Sequence, residues 1–345
     1  MSSLEYQPTV VDTIVIGGGA AGLTAATVIG RARRDVVVVD SGRPRNAPAA
    51  HMHGFLSRDG MAPAELLATG RAEAAHYGVQ FVDSVVNSVR WRGAEAGFTV
   101  ELDGGTALLA DTILVSTGLH DELPELPGIR ERWGADIFHC PYCHAYEVRD
   151  QPLGVLVSGN PAMSVHQALL LRQWTGDVVL FANGNELTDR QRRELAAREV
   201  VIDDGTVTSL AIAGDRLAGV ELADGRSVPR AALVVAPRFV PHDALLTQLG
   251  CDVAPGGLVA VDAAGRTSVP GVWAAGNVVD PRAQVITAAG AGSAAAIAIN
   301  GYLLDRDVER ALSTAARHHD THPPFDAATE RRVHDAVGAE SRHGL

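Results

Sequence analysis

Cysteine is scarce in this chain: only 3 occur among 345 residues, and two of them stand two residues apart. So few thiols exclude a disulfide-stapled secreted scaffold, and the close pair favours redox chemistry or a metal. Aromatic residues make up only 5% against 46% hydrophobic overall, with 36 glycines. That is the balance of an Ala/Val/Gly-rich α/β protein with many tight turns. Positive charge is short as well: 29 Lys and Arg face 41 Asp and Glu, giving a net charge of −12 spread along the chain. This argues against a nucleic-acid or anionic-membrane partner. No basic segment followed by an apolar run lies between Met1 and Val11, so no signal peptide is expected and the cytoplasm is the default location. The most apolar late stretch, Ala288 to Ile299, is short and built of Ala and Gly, which reads as a tightly packed helix well below a membrane span.

A chain of this length suggests two domains, and a weak internal duplication supports that number. The first copy reads as a strand (Thr13–Ile16), a glycine turn, an Ala-rich helix to about Arg31, and a strand (Asp35–Val39). A helix around Pro63–Tyr77 follows, then a meander near Gln80–Val85, Phe98–Leu102 and Ala107–Leu109, and a last strand, Thr112–Val115. The second copy repeats the order: strand Leu153–Val157, helix Ala162–Trp174, strand Asp177–Phe181, helix Asp189–Arg198, meander Val207–Val228 and strand Ala232–Ala236. Two such units predict an α/β fold of two Rossmann-like, three-layer ββα domains, the second inserted into the first. The expected boundaries are 1–118 with 246–317, an inserted 119–245, and a tail at 318–345. That tail holds five of the 13 histidines without strong periodicity. His318-His319-Asp320-Thr321-His322 has the composition of a metal cluster, but a solvated, partly mobile tail is the expectation, with no metal.

Gly17, Gly19 and Gly22 stand between a strand and a helix as a dinucleotide fingerprint. The first makes the turn, the second lets backbone approach a pyrophosphate, and the third allows close helix packing. Asp40 ends the second strand 23 residues after Gly17, where a carboxylate can bond a ribose hydroxyl. This pattern serves NAD and FAD alike. The run Cys140-Pro141-Tyr142-Cys143-His144 likewise admits several readings. A glutaredoxin site has the same first four residues, but there they open a helix in a small thioredoxin fold. A zinc knuckle needs two further ligands at suitable spacing, and Cys251 does not supply them; it reads as a buried bystander. CxxCH also attaches c-type haem in exported proteins. A redox disulfide at the start of the second domain is the reading that fits the context, because a helix N-terminus lowers a thiol pKa at this spacing.

These motifs, with Thr117-Gly118 and the run Thr267 to Asn277, resemble the low-molecular-weight thioredoxin reductase family of flavoproteins over roughly residues 12–312. The resemblance implies FAD, held by Gly17, Gly19, Ala20, Gly22, Asp40, Ser41, Asn46, His51, Thr117, Gly118, Gly276, Asn277, Gln284, Val285 and Thr287. Asn277 stands where the family usually has Asp, and an amide can still bond a ribityl hydroxyl. By the same resemblance Cys143 lies against the flavin and Cys140 is the interchange thiol, and the enzyme is a homodimer. The CxxCH run is closest to the dithiol oxidases of gliotoxin and holomycin biosynthesis. There His144 would take a proton from a substrate thiol near neutral pH, or serve only in local hydrogen bonding. His51 and His53 lie in a loop that passes beside the flavin in the family.

The second copy departs from the family. Its first turn reads Val157-Ser158-Gly159-Asn160-Pro161-Ala162, with one glycine left and Pro161 removing a backbone donor. Phe181-Ala182-Asn183-Gly184 replaces the family's His-Arg-Arg, and Arg190, Arg192 and Arg193 on the next helix are the remaining cations. NADP(H) binding is therefore doubtful. The expected activity is oxidation of a small-molecule dithiol, with O2 taking the electrons to give hydrogen peroxide. The alternatives are an NAD(P)H-dependent disulfide reductase and a flavin-linked redox sensor.

Overall fold

The run Val36–Val39 is apolar at every position because both faces of its sheet are covered. In the computed structural model, which describes residues 10–321 and 327–340, this run is an interior strand of the first of two sheets, paired in parallel on both edges. The chain begins with β1 (Val10–Ile16), α1 (Ala20–Arg31), β2 (Val36–Asp40), α2 (Pro63–His76), β3 (Gln80–Asp83), β4 (Val86–Trp91), β5 (Phe98–Leu102) and β6 (Ala107–Val115). It continues through β7 (Leu119–Glu122), α3 (Ile129–Arg132), β8 (Ile137–Phe138), α4 (Pro141–His144), β9 (Leu153–Leu156), α5 (Pro161–Leu171) and β10 (Val178–Phe181). Then come α6 (Asp189–Ala197), β11 (Val201–Asp203), β12 (Val207–Ala213), β13 (Arg216–Leu222), β14 (Ser227–Pro229), β15 (Ala232–Val235) and β16 (Arg238–Pro241). The remainder is α7 (Ala244–Gln248), β17 (Val272–Ala274), α8 (Val285–Thr321) and α9 (Ala327–Glu340).

The first sheet runs β3-β2-β1-β6-β5-β4, and β17 also pairs with β6. One edge of β6 is shared: its first residues pair antiparallel with β5, and Ile113 to Val115 pair parallel with β17. The second sheet, β11-β10-β9-β15-β8, is wholly parallel, and a separate meander, β12-β13-β14, follows it. The two halves are joined by a ribbon, in which β7 pairs antiparallel with β16. The chain enters the second half along one of these strands and leaves along the other.

Two element assignments differ from the sequence reading. Gln80–Asp83 is not the first strand of the meander but a parallel edge strand beside β2, and the meander begins at Val86. Both segments are polar and half-exposed, so alternation alone could not separate them. Ala107–Leu109 and Thr112–Val115 are one strand.

The Ala-rich helix is far longer than its apolar core. By length and composition alone Val285–Ala316 is able to cross a membrane. Its Ala289, Ala295, Ala296 and Ile299 are buried, and a Cβ on Gly292 would lie 2.0 Å from the Ala21 carbonyl oxygen. This half of α8 is therefore a core helix packed backbone to backbone on α1. Residues up to Ile299 form one compact unit and those from Asn300 another. In the latter the backbone is helical to Thr321 and again in α9, where the sequence suggested no regular element. The side chains of His318 and His319, and His322 altogether, lie outside the described residues, so the cluster they suggested is not addressed. Among the described residues no group of three His, Cys, Asp or Glu is placed to hold a metal.

Candidate active site

The glycine turn forms because β1 must reverse into α1 within a few residues. Gly17 has φ of 106°, and a Cβ there would lie 2.4 Å from the Ser116 carbonyl oxygen. A Cβ on Gly22 would lie 1.9 Å from the Gly17 carbonyl oxygen. Gly19 is different: its Cβ position faces open space. Gly19 is the N-cap of α1 and no side chain caps the helix, so the first-turn N–H groups are left for a ligand. Asp40 does more than the sequence suggested. Its Oδ1 accepts from the Gly18 N–H at 3.0 Å, which buttresses the turn while the carboxylate keeps lone pairs for a hydroxyl.

This turn opens onto a cavity of about 1270 Å³ at the C-terminal ends of β1, β2, β6 and β17. Open α/β sheets bind their ligands at such an edge. Gly17, Gly19, Ala20, Asp40, Ser41, Asn46, His51, Thr117, Gly118, Gly276, Asn277, Gln284 and Val285 all line it, as do Cys140, Cys143 and His144. Two of the expected residues do not. Gly22 packs behind the turn against Gly17, and Thr287 is exposed on the far side of the first turn of α8. The uncapped helix, the glycine whose Cβ space is empty and the volume of the cavity fit a dinucleotide.

Cys140 and Cys143 are disulfide-bonded, with Cα atoms 5.3 Å apart. Cys140 is the N-cap of the short α4, Pro141 fills its first position, and the Cys143 N–H donates to the Cys140 carbonyl at 3.1 Å. Tyr142 is 64% exposed and packs edge-on to Trp174, away from the cavity lining. Cys251 is buried in the core of the first sheet, and burial pushes its thiol up.

His144 stacks on Phe138 with ring centroids 5.2 Å apart, and neither of its buried ring nitrogens has a hydrogen-bond partner. Burial pushes it below the ordinary imidazole value. Glu147 opposes that shift, His53 adds to it, and the Cys140 backbone pulls weakly upward without reaching hydrogen-bond geometry. His144 is thus a neutral base at neutral pH.

Three further residues of the lining carry no sequence motif. His139 has an unpartnered Nδ1 and is pushed down to about 4, by burial first and then by the charge of Arg45. His120 and His242 face each other across the ribbon at 5.2 Å, and burial lowers His242. A polar run beside each motif was the only available signal: His139 directly precedes Cys140, and His120 follows Thr117-Gly118 closely. His51 is exposed and its Nδ1 lies 3.1 Å from the Gly60 carbonyl, while His53 lies between Asp59 and Glu147.

The corresponding edge of the second sheet is closed by the chain itself. Asn160 caps α5, its Oδ1 accepting from the Met163 N–H at 3.2 Å. The Asn185 amide donates to the carbonyls of Val157, Ala182 and Asn183. Of the cations on α6, Arg190 pairs with Glu194 and Arg192 takes both oxygens of Asp204.

The chain matches the pyridine nucleotide-disulphide oxidoreductases over residues 11–293. It belongs to that family. The thioredoxin reductase sirT of Leptosphaeria maculans is 31% identical over 317 residues, which is 87% of this chain and 97% of its own. The crystal structure of HlmI is 58% identical with a TM-score of 0.87, covering 90% of this chain and 97% of that one. An oxidoreductase from Agrobacterium tumefaciens is 39% identical with a TM-score of 0.80, over 86% and 99%. The expected thioredoxin reductase-like α/β fold is thus the observed one, and the chain is a disulfide oxidoreductase. Family membership also implies a flavin, and the lining described above has the shape for it.

Proposed function

We propose that this oxidoreductase is an FAD-dependent dithiol oxidase that closes a disulfide in a small molecule. The observation that carries this reading is the contrast within one molecule. A redox disulfide and a neutral, unpartnered imidazole open on the same cavity as an uncapped nucleotide turn, whereas the second turn is capped by its own asparagine. The FAD domain comprises 1–118 and 246–317, the inserted domain 119–245. A homodimer is carried forward from the resemblance, and a cytoplasmic location from the sequence reading.

FAD, held along the turn at Gly17–Ala20 with Asp40 and Asn277, would supply the two-electron acceptor for the cysteine pair, with O2 as the terminal oxidant giving hydrogen peroxide. The chain's own residues do the thiol chemistry. His144 takes the proton of a substrate thiol, and the thiolate attacks the Cys140 sulfur. The Cys140–Cys143 bond breaks, leaving a mixed disulfide at Cys140 and a thiolate at Cys143. The second substrate thiol then attacks the sulfur bound to Cys140, expelling that cysteine and closing the product ring. In sum, the dithiol loses two electrons and two protons, and the pair stands reduced. The helix-start position of α4 favours each leaving thiolate.

The likeness to thioredoxin reductases favours a second reading, reduction of a disulfide at the expense of NAD(P)H. Variants at the thiol site test the first. Cys143→Ser should keep flavin bound but stop its bleaching by dithiols. His144→Ala should slow the bleaching roughly 10²-fold or more, with reoxidation by air little changed. Wild-type bleaching rates in either variant would remove the assigned roles.

A further inference from the structure

The loop between β2 and α2 touches the cysteine-bearing half of the molecule at three points. The Arg45 guanidinium donates to both oxygens of Asp121, Nε at 2.9 Å and Nη2 at 2.7 Å, and its Cζ lies 5.1 Å from the Phe239 ring centroid. Asp121 and Phe239 are cross-strand partners in the ribbon. One side chain of the first half therefore grips both strands by which the chain crosses to the second half. Next, a Cβ on Gly134 would lie 2.8 Å from the Pro48 Cβ and 3.0 Å from its carbonyl carbon, so loop and backbone are in direct contact there. Last, His53 Nε2 lies 3.4 Å from Glu147 Oε1, just beyond α4.

Arg45 also reaches into the flavin side of the cavity. Its Nη1 donates to Asn277 Oδ1 at 3.2 Å. The Asn277 amide donates in turn to the carbonyls of Asp280 and Ala283, which orders the segment leading to Gln284 and Val285. An aspartate at 277 could donate neither bond and would set a second carboxylate against Arg45. The amide at 277 thus accepts from Arg45 and donates to Asp280 and Ala283 at once, which a carboxylate could not do. Asp121 is only 9% exposed, and a buried carboxylate stripped of its bidentate partner is strongly unfavourable.

We infer that Arg45 is a positioning residue, the main anchor of a clasp formed by residues 45–53 that holds the Cys140–Cys143 pair over the cavity. The clasp rests on the proposed reading that Cys143 is the sulfur facing the flavin. It fixes where that sulfur sits without touching it, and so acts on the thiol half-reaction through geometry alone.

Two readouts test it on the flavin-loaded protein. In the first, the anaerobically reduced protein is treated with N-ethylmaleimide, and alkylation of Cys143 is followed by mass spectrometry. Arg45→Met should speed this alkylation at least ~10-fold with flavin still bound, and Arg45→Lys, which keeps the charge but loses the fork, should fall between. In the second, Cys140→Ser should show a long-wavelength charge-transfer band from the Cys143 thiolate, and adding Arg45→Met should abolish it. A merely structural role would lower the unfolding temperature and move neither readout. Unchanged Cys143 protection in Arg45→Met would overturn the clasp. If Cys140→Ser lacks the band while Arg45→Met still unmasks Cys143, the clasp stands and the flavin-side role of Cys143 falls.

Discussion

The two strand–turn–helix units of this molecule share an order of elements and differ in what they do with the same few N–H groups. In the first, α1 starts after a bare glycine, and its first turn has no side-chain cap and opens on the cavity. In the second, α5 starts after Asn160, which satisfies the Met163 N–H from within the chain, and Pro161 removes another donor. On the proposed reading, the second turn keeps its fold while giving up its phosphate donors. The glycines need not all go; it is enough that the chain itself occupies the donors a phosphate would have used. Where the second site would also need cations, Arg190 and Arg192 are already committed to Glu194 and Asp204.

The sharpest way to break this comparison is to treat the two turns alike. Gly19→Val should fold, since its Cβ meets nothing within 4 Å, yet purify without flavin because the side chain fills the phosphate approach. Gly22→Ala should fail to fold, its methyl group driven into the Gly17 carbonyl. A yellow Gly19→Val protein would mean that the cradle lies elsewhere.

A smaller effect separates the cavity from the rest by pH. His139 is held near 4, by burial first and then by Arg45, against an ordinary 6.5. As pH falls below about 6.5 the unfolded chain takes up a proton there that the native chain refuses, so stability declines down to about 4 and not further. The full loss is on the order of 3 kcal/mol. Urea unfolding at pH 7.5 and pH 5 should show the decline in the wild type and a smaller one in His139→Phe, the remainder coming from His144 and His242, which burial also lowers. Equal pH dependence in the two proteins would mean that His139 is not held neutral. The smallest effect belongs to the second turn: Asn160→Ala should cost about 1 kcal/mol of stability, as loss of a helix cap does, with flavin content and turnover intact.

Much of this was legible beforehand, and the reason differs from place to place. Gly17, Gly19, Asp40 and the cysteine pair were found because strand–glycine–helix spacing and CxxC spacing are local, and the structure brings them to one cavity. The Thr287 side chain is exposed and outside the cavity lining, because only one face of a helix turns inward and that face could not be read without the packing of α8. The edge strand β3 was folded into the meander for the same kind of reason, its partner β2 being distant in sequence. Arg45 and His139 escaped notice altogether. What gives them meaning is Asp121, Asn277 and Phe239, contacts far away along the chain that no spacing rule connects.

The central claim is that electrons enter through the dithiol and not through the second nucleotide fold. It is tested most directly by mixing the anaerobic protein with NADPH or with a small-molecule dithiol and watching the flavin band. Two charge-assisted contacts to a 2′-phosphate, worth about 1.5–3 kcal/mol each, would be lost with Phe181-Ala182-Asn183 at the end of β10, which corresponds to roughly 10²–10⁴-fold weaker binding. NADPH below millimolar concentration should bleach the band slowly or not at all. A suitable dithiol should bleach it within the turnover time, and air should restore it with one hydrogen peroxide per disulfide formed. Rapid bleaching by NADPH coupled to reduction of a disulfide would contradict the account.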